Sequence, residues 1–380
     1  MKKLIFILLK YGMRFIYFFM KLFIPVSDKA VFLSRQSDQP SENFLLLEQE
    51  LQRVSPSTKC EFYCRLGLKS EMGLSYALLM LRQMKALAGA KLCITESYCI
   101  PISILRHKKQ LRVVQIWHSL VAVKKFGWQT VDMPEGTSSD IARIMQMHNG
   151  YDFVAVGSEY MRPFFAEAMN TPVEKVLPLG TPIADRLLAS AEQCHALRER
   201  FCQTYPQAAG KKIAVYLPTM RRDYPIDCGD MIESFDCEEY ALVVKLHPLD
   251  RHTVIQSGHA IVDKQFTTEQ AIIMADAIIS DYSGAAAEAA LLNKPVYFFI
   301  PDAERYSGEC GINVNALEIF PAVSSADPME LAAAVMGEKA TDRDIARVKE
   351  LLCGGCDGHS AENIIRLALS ESTHFSSAGQ

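Results

Sequence analysis

The chain has 380 residues, of which 49% are apolar, with 40 basic and 44 acidic side chains and a net charge of −4. That length accommodates two ordinary domains with a large core, and the near balance of charge argues against nucleic-acid binding, which usually leaves a basic excess. The eleven cysteines are scattered rather than framed, which points to reduced thiols on the cytosolic side; Cys353 and Cys356 form a lone CxxC with only His359 nearby, read as a glycine-rich turn and not as a metal site.

The first element, KKLIFILLKYGMRFIYFFMKLFI over residues 2–24, departs from the rest. No uncharged run reaches the roughly 18 residues of a spanning helix, and no small-residue cleavage site marks a signal peptide. Lys3, Lys10, Arg14 and Lys21 fall at spacings of 7, 4 and 7, which at about 100° per residue places them within a narrow arc. The pattern predicts an amphipathic helix lying in a membrane interface, its cations turned to anionic headgroups. A core helix with one wet stripe is the alternative.

After Pro25, short apolar runs alternate with helical stretches. Strands are predicted at AVFLS (30–34), CEFYCRL, KLCITES, LRVVQIW, YDFVAVGS and KVLPLG, with helices at 43–53, GLSYALLMLRQMKALAGA, 138–148 and 158–169. A charged, irregular stretch occupies 184–211, with HALRERF helical inside it. The alternation then restarts with KIAVYLP, 229–235, YALVVKLHP, 260–262, 267–275, DAIISDYS, 284–292 and PVYFFI, and ends in helices near 328–337, 341–352 and 360–370. Such alternation predicts parallel sheets covered by helices. The expected organisation is a leader helix over 1–24 and two Rossmann-like α/β domains, 25–183 and 184–380, facing a cleft.

Polar signals recur where hydrophobic strands stop. They are Trp117-His118 with Lys124 and Lys125 beyond, Ser158-Glu159, Gly180 with Pro182 and Asp185, Thr219 with Arg221 and Arg222, His247, and Asp281 with Ser283. Each alone is weak: a histidine after a strand is more often structural, and a Lys-Lys pair is usually a solvated face. Their repetition at one edge of the sheets, where open parallel sheets bind ligands, suits a phosphorylated ligand. Ser283 can cap helix 284–292, leaving free N–H groups for a phosphate approaching over Gly284. Asp281 could bond a ribose or order the turn, and Glu288 could face the cleft a turn further on.

The ordered set W-H…K-K-x-G, S-E-Y, G-x-P-x-x-D, P-T-x-R, H-P and S-D-Y-S…N-K-P-V-Y resembles the CDP-glycerol glycerophosphotransferase family of teichoic acid synthesis, over most of residues 28–370. The resemblance implies a glycosyltransferase-B-like pair of domains at the inner face of the membrane and no cofactor or metal. It implies transfer of a polyol phosphate from a CDP-alcohol, CDP-glycerol first, to a hydroxyl of a lipid-linked acceptor. By position it makes His118 the candidate base and His247 a donor-phosphate ligand. It places Thr219, Arg221, Asp281, Ser283, Gly284 and Glu288 at the donor, and Lys124, Lys125 and Ser158 at acceptor or phosphate.

Four departures from the family pattern stand out. Ser119 replaces the usual Gly, Gly284 the usual Ser, Glu288 the usual Asp, and Ile183 an Arg whose loss would remove a phosphate contact. The alternatives are a sugar-nucleotide transferase of the same architecture and an inactive membrane scaffold. A chain of this size favours primase-like, short transfer.

Overall fold

The computed structural model describes residues 2–67, 73–134, 136–221, 223–247 and 250–370. Arg222 and Pro248, both within predicted motifs, lie outside these residues.

Two six-stranded sheets form the frame, and every strand pair in them is parallel. The first contains β1 (Lys29–Ser34), β2 (Lys59–Cys64), β3 (Leu92–Thr95), β4 (Arg112–Gln115), β5 (Phe153–Ala155) and β6 (Val176–Leu177), in the order β2-β1-β3-β4-β5-β6. The second contains β7 (Lys212–Leu217), β8 (Tyr240–Val244), β9 (Ala260–Val262), β10 (Ala277–Ser280), β11 (Val296–Phe299) and β12 (Ser324–Ser325), in the order β12-β11-β10-β7-β8-β9. The second order is that of a dinucleotide-binding fold, with its switch point between β7 and β10. In the first sheet the order reverses between β1 and β3.

The central strands are largely apolar because both faces of each sheet are covered there, whereas the edge strands β2 and β12 are mixed or polar. In β1, Ala30 and Phe32 enter one core cluster, Val31 and Leu33 the other. The first of these clusters is closed by Ile364 and Ile365 from the final helix, Ser360–Leu369. The chain therefore returns to its first sheet, and a single boundary at 183 does not describe this helix. The return is pinned at helix Pro182–Ser190, within the stretch expected to be irregular. Asp185 at its first turn accepts from the N–H groups of Ser360 (2.9 Å) and Ala361 (2.8 Å). Gly180 sits at φ +74°, where a Cβ would lie 2.3 Å from Ser360 Oγ, so no side chain fits. The G-x-P-x-x-D motif is thus the seat of the last helix. Ile183, beside Asn43 through its backbone N–H, is absent from the cavity lining described below.

The N-terminal helix spans Lys2–Phe23 as one element. Three of its four stripe cations are tied to the body of the chain, although Lys3 stays largely exposed. Arg14 donates to Ile104 O and Gln146 Oε1 (both 2.7 Å), Lys21 to Arg106 O (2.6 Å), and Lys3 pairs with Asp140 (2.5 Å). Met13 and Tyr17, on the same side, are buried. The outward face is apolar, with Leu4, Leu8, Phe15, Leu22 and Phe23 exposed, Phe23 at 79%. The physical reason is that the end of helix Ile100–Ile104 and the residues after it present carbonyl oxygens, Ile104 O and Arg106 O, which accept charge-assisted hydrogen bonds from Arg14 and Lys21. Among the described residues no helix is long and apolar enough to cross a membrane.

Candidate active site

A cavity of about 890 Å³ opens between the carboxyl ends of the two sheets. Trp117, His118, Ser119, Lys124 and Lys125 line it from the first sheet's loops, and Thr219, Arg221, His247, Ser283, Gly284 and Tyr306 from the second's. The second set follows four adjacent strands, β11, β10, β7 and β8, and so straddles the switch point.

His118 lies three residues beyond β4. The chain turns there because Trp117 adopts the left-handed region at φ 52°, held by its N–H on Gln115 Oε1 (2.8 Å). A non-glycine residue in that conformation stores roughly 1–3 kcal/mol, a cost found mostly at functional sites. His118 Nδ1 is 3.1 Å from Glu96 O. A carbonyl only accepts, so Nδ1 carries the proton and Nε2 the lone pair. The Gln36 Nε2 also lies 3.2 Å from Nδ1; being a donor itself, it is a close contact and not a hydrogen-bond partner of the Nδ1–H form. Burial lowers the imidazole pKa, against the opposing pull of the Glu96 carbonyl. A neutral, oriented imidazole is what a proton acceptor requires at neutral pH.

Glu96 itself was not singled out from the sequence. Its carboxylate, 1% exposed, accepts from Ser34 Oγ (2.5 Å) and Ser41 Oγ (2.6 Å). Burial raises its pKa, and the two hydroxyls oppose the rise. These bonds tie the end of β3 to the end of β1 and to the cap of helix Glu42–Val54, at the first sheet's switch point.

On the opposite wall, Arg221 is 2% exposed yet charged. Its Nε and Nη2 fork onto the Asp302 carboxylate (2.6 and 3.0 Å), and Nη1 donates to Asp281 Oδ2 (2.9 Å) and Thr219 O (2.5 Å). Burial works against the charged form, but the Asp281 and Asp302 carboxylates outweigh it and hold the guanidinium protonated. Asp281 also accepts from the N–H groups of Thr219 (2.9 Å) and Tyr282 (2.6 Å). Tyr282 and Tyr306 stack at 4.0 Å, with the guanidinium 5.1 and 4.6 Å from their centroids. Arg221 and Asp281 thus spend their hydrogen bonds on each other and on the two loops. Their geometry is that of a frame, not of groups aimed at a ligand. Asp302, 81 residues from Arg221, was given no role from the sequence. Thr219 Oγ1 is buried beside the cavity with no hydrogen-bond partner among the described residues, which leaves it available to a bound molecule.

Ser283 Oγ accepts from Ala285 N–H (3.2 Å), at the start of helix Ala285–Leu291. The helix begins one residue later than expected. Its first N–H groups are also engaged: Ala286 bonds Ser283 O, and Ala287 and Glu288 bond Gly284 O. The free helical N–H groups expected for a phosphate are therefore taken. The Ser283 and Gly284 amides precede these bonds and take no part in them.

Two expected site residues point elsewhere. Ser158 is fully buried, donating to Leu351 O (2.6 Å) and accepting from Met161 N–H (3.3 Å), so it ties a loop to helix Asp342–Cys353. Glu288 does not line the cavity. It lies on the side of its helix that meets Arg186 and Glu269, and burial, with the Glu269 charge and against Arg186, pushes its pKa up to about 7. The cysteine pair is likewise structural: Cys353 Sγ contacts Ala287 O and Cys356 Sγ contacts Gly157 O.

Residues 16–370 match the family model described as CDP-Glycerol:Poly(glycerophosphate) glycerophosphotransferase. The chain is 28% identical to a teichoic acid ribitol-phosphate primase of Bacillus spizizenii, over 90% of this chain and 91% of that protein. It is 29% identical to a teichoic acid glycerol-phosphate primase of Bacillus subtilis over 73% of each. Its match to a teichoic acid poly(ribitol-phosphate) polymerase of Bacillus spizizenii spans 89% of this chain and 56% of that one, at 25% identity. In fold, it superposes on the wall teichoic acid polymerase TagF with a TM-score of 0.68, at 18% identity, covering 94% of this chain and 92% of that chain.

Proposed function

Because the chain belongs to the CDP-glycerol:poly(glycerophosphate) glycerophosphotransferase family, we propose that it moves glycerol phosphate, or a related polyol phosphate, from a CDP-activated donor to a hydroxyl of a lipid-linked acceptor at the cytoplasmic membrane face. The observation that carries this reading is the meeting, in one cavity, of an oriented neutral His118 with a wall built from His247, Thr219 and the Ser283-Gly284 elbow. A TagF structure soaked with CDPG supports the choice of donor.

The acceptor oxygen attacks the donor's distal phosphorus, the P–O bond to CMP breaks, and CMP leaves with the bridging oxygen. His118 Nε2 takes the acceptor's proton. His247, Lys124 and Lys125 offset charge on the phosphates, and Thr219 Oγ1 and the Ser283 and Gly284 amides supply donors to them. Arg221 and Asp281 act by holding the loops after β7 and β10 in register, so the work is positioning and charge stabilisation. The long match to primases supports transfer of one or a few units. The apolar outward face of the N-terminal helix supports membrane contact.

The test is a donor panel of CDP-glycerol, CDP-ribitol and UDP-sugars with the released nucleotide identified. CMP from a CDP-alcohol is expected. UMP or UDP release, or binding of no CDP-alcohol, would overturn the reading.

A further inference from the structure

The two lobes are joined a second time, beside the cavity. Lys124 and Ile312 form an antiparallel bridge. Lys125 N–H donates to Gly311 O (3.1 Å), and Asn313 N–H to Val123 O (2.8 Å). The Asn313 side chain strengthens this short ladder. Its Nδ2 donates to Ala122 O (3.0 Å) and Gln129 Oε1 (3.1 Å), while its Oδ1 accepts from Gln129 Nε2 (2.8 Å). Gln129 Nε2 is anchored in turn on Glu167 (2.9 Å). Asn313 thus forms a reciprocal amide pair and bonds to two peptide carbonyls, Ala122 O and Lys124 O (3.3 Å), all on the opposite lobe. The paired segments run directly into the cavity wall, through Val121–Lys125 on one side and Gly308–Cys310 on the other.

We propose that Asn313 is a positioning residue whose clasp sets the spacing between His118 on one lobe and the donor wall on the other. The proposal rests on the transfer reading above. Transfer needs the attacking oxygen and phosphorus in line, and a misplacement of about 1 Å can cost roughly 10²-fold. Most of the donor's contacts, at Thr219, His247 and the Ser283-Gly284 elbow, lie on the second lobe, so donor affinity suffers less from a looser clasp than the chemical step does. Alanine removes the whole set of bonds. Aspartate keeps Oδ1 but loses the donor and places a negative charge against carbonyl oxygens, so it is at least as damaging.

The experiment uses the full chain with CDP-glycerol and a synthetic lipid-linked polyol-phosphate acceptor. It compares wild type with Asn313→Ala, Asn313→Asp and the milder Gln129→Ala. Three quantities are read: kcat for CMP release, CDP-glycerol Kd by calorimetry, and amide hydrogen exchange at Lys125 and Asn313. The expected result is a kcat at least tenfold lower in both Asn313 variants, a smaller loss in Gln129→Ala, and Kd within threefold of wild type. Exchange at Lys125 should be at least tenfold faster. An unchanged kcat with accelerated exchange would overturn the proposal, as would donor affinity and kcat falling together by similar factors. A wild-type chain that binds no CDP-glycerol would sink the transfer reading instead, leaving the exchange rates to decide whether the clasp joins the lobes.

Discussion

Ser119 Oγ lies 3.4 Å from the position that a Cβ on Gly284 would occupy. The two residues belong to different lobes and meet at the cavity, where Ser119 donates to Val121 O (2.9 Å). They are also two of the positions at which the sequence departs from the family pattern, one gaining a hydroxyl and the other lacking one. The departures therefore face each other across a single contact. Gly284→Ser alone should crowd Ser119 and raise the donor KM several-fold. Combining it with Ser119→Gly should return KM to within twofold of wild type. Residues in contact typically couple by about 0.5–3 kcal/mol, so a double-mutant cycle with strictly additive effects would show that the exchange is coincidental.

The histidines carry the next prediction. Burial holds the His118 pKa below its ordinary value, about 6.5 in unperturbed histidine. The neutral form, which accepts a proton, is the one present above the pKa. The acid limb of kcat/KM should thus fall below pH 6.5, and activity should stay flat from there through neutrality. His118→Ala should cost about 10²–10⁴-fold, the usual contribution of a general base, and abolish that limb. His247→Ala should abolish CMP release with the fold retained. CMP release measured from pH 4.5 to 8 decides both.

Arg221 makes a different demand. With one buried and one partly buried carboxylate on it, removing the cation leaves uncompensated charge, a change that typically costs about 3–5 kcal/mol for a buried pair. Arg221→Ala should therefore lower the melting temperature markedly and lose activity through misfolding. Arg221→Lys should rescue only part, because an ammonium cannot fork onto Asp302 while reaching Asp281. A normal melting temperature in Arg221→Ala would mean that the residue serves the ligand rather than the frame.

The strand ends could be located from sequence because each apolar run stops abruptly, so His118, His247, Thr219 and Ser283 were found by where the strands end. What side chains do there was less legible. Nothing local assigned Glu96 or Asp302 a role, since their partners Ser34, Ser41 and Arg221 stand 62, 55 and 81 residues away. Ser158 looked like a ligand because nothing local foretold the Leu351 carbonyl. Helix Ala303–Cys310 was overlooked because AERYSGEC carries almost no apolar stripe. The spacing of Lys3, Arg14 and Lys21 fixed which residues share a face but not whether that face turns inward.

Glu288 offers a test by pH. Its pKa is raised to about 7 in the folded chain, against roughly 4.3 for an ordinary glutamate. The folded state binds the extra proton between those values, so stability declines as pH rises from about 5 through 7. Glu288→Gln should remove that decline. It should raise the melting temperature at pH 8, by a stabilisation on the order of 3–4 kcal/mol, and leave it unchanged near pH 4. Because Glu288 is off the cavity wall, donor KM should stay within twofold. A KM rise above tenfold with an unaltered pH–stability curve would restore it to the donor site.

The N-terminal helix separates two modes of membrane binding. With Arg14 and Lys21 spent on carbonyls of the loop 104–106, attraction to headgroups cannot come chiefly from this stripe. The exposed Phe15, Phe19, Leu22 and Phe23 bind by burying apolar area, which salt does not screen. Phe15→Asp with Phe23→Asp should reduce partitioning onto phosphatidylglycerol-containing vesicles at least tenfold. Raising sodium chloride from 0.1 to 0.5 M should reduce wild-type partitioning by no more than about threefold. Arg14→Ala should lower the melting temperature and leave partitioning intact, since its guanidinium holds the helix to the body of the chain. Salt-abolished binding that ignores the phenylalanines would return the cations to the membrane side.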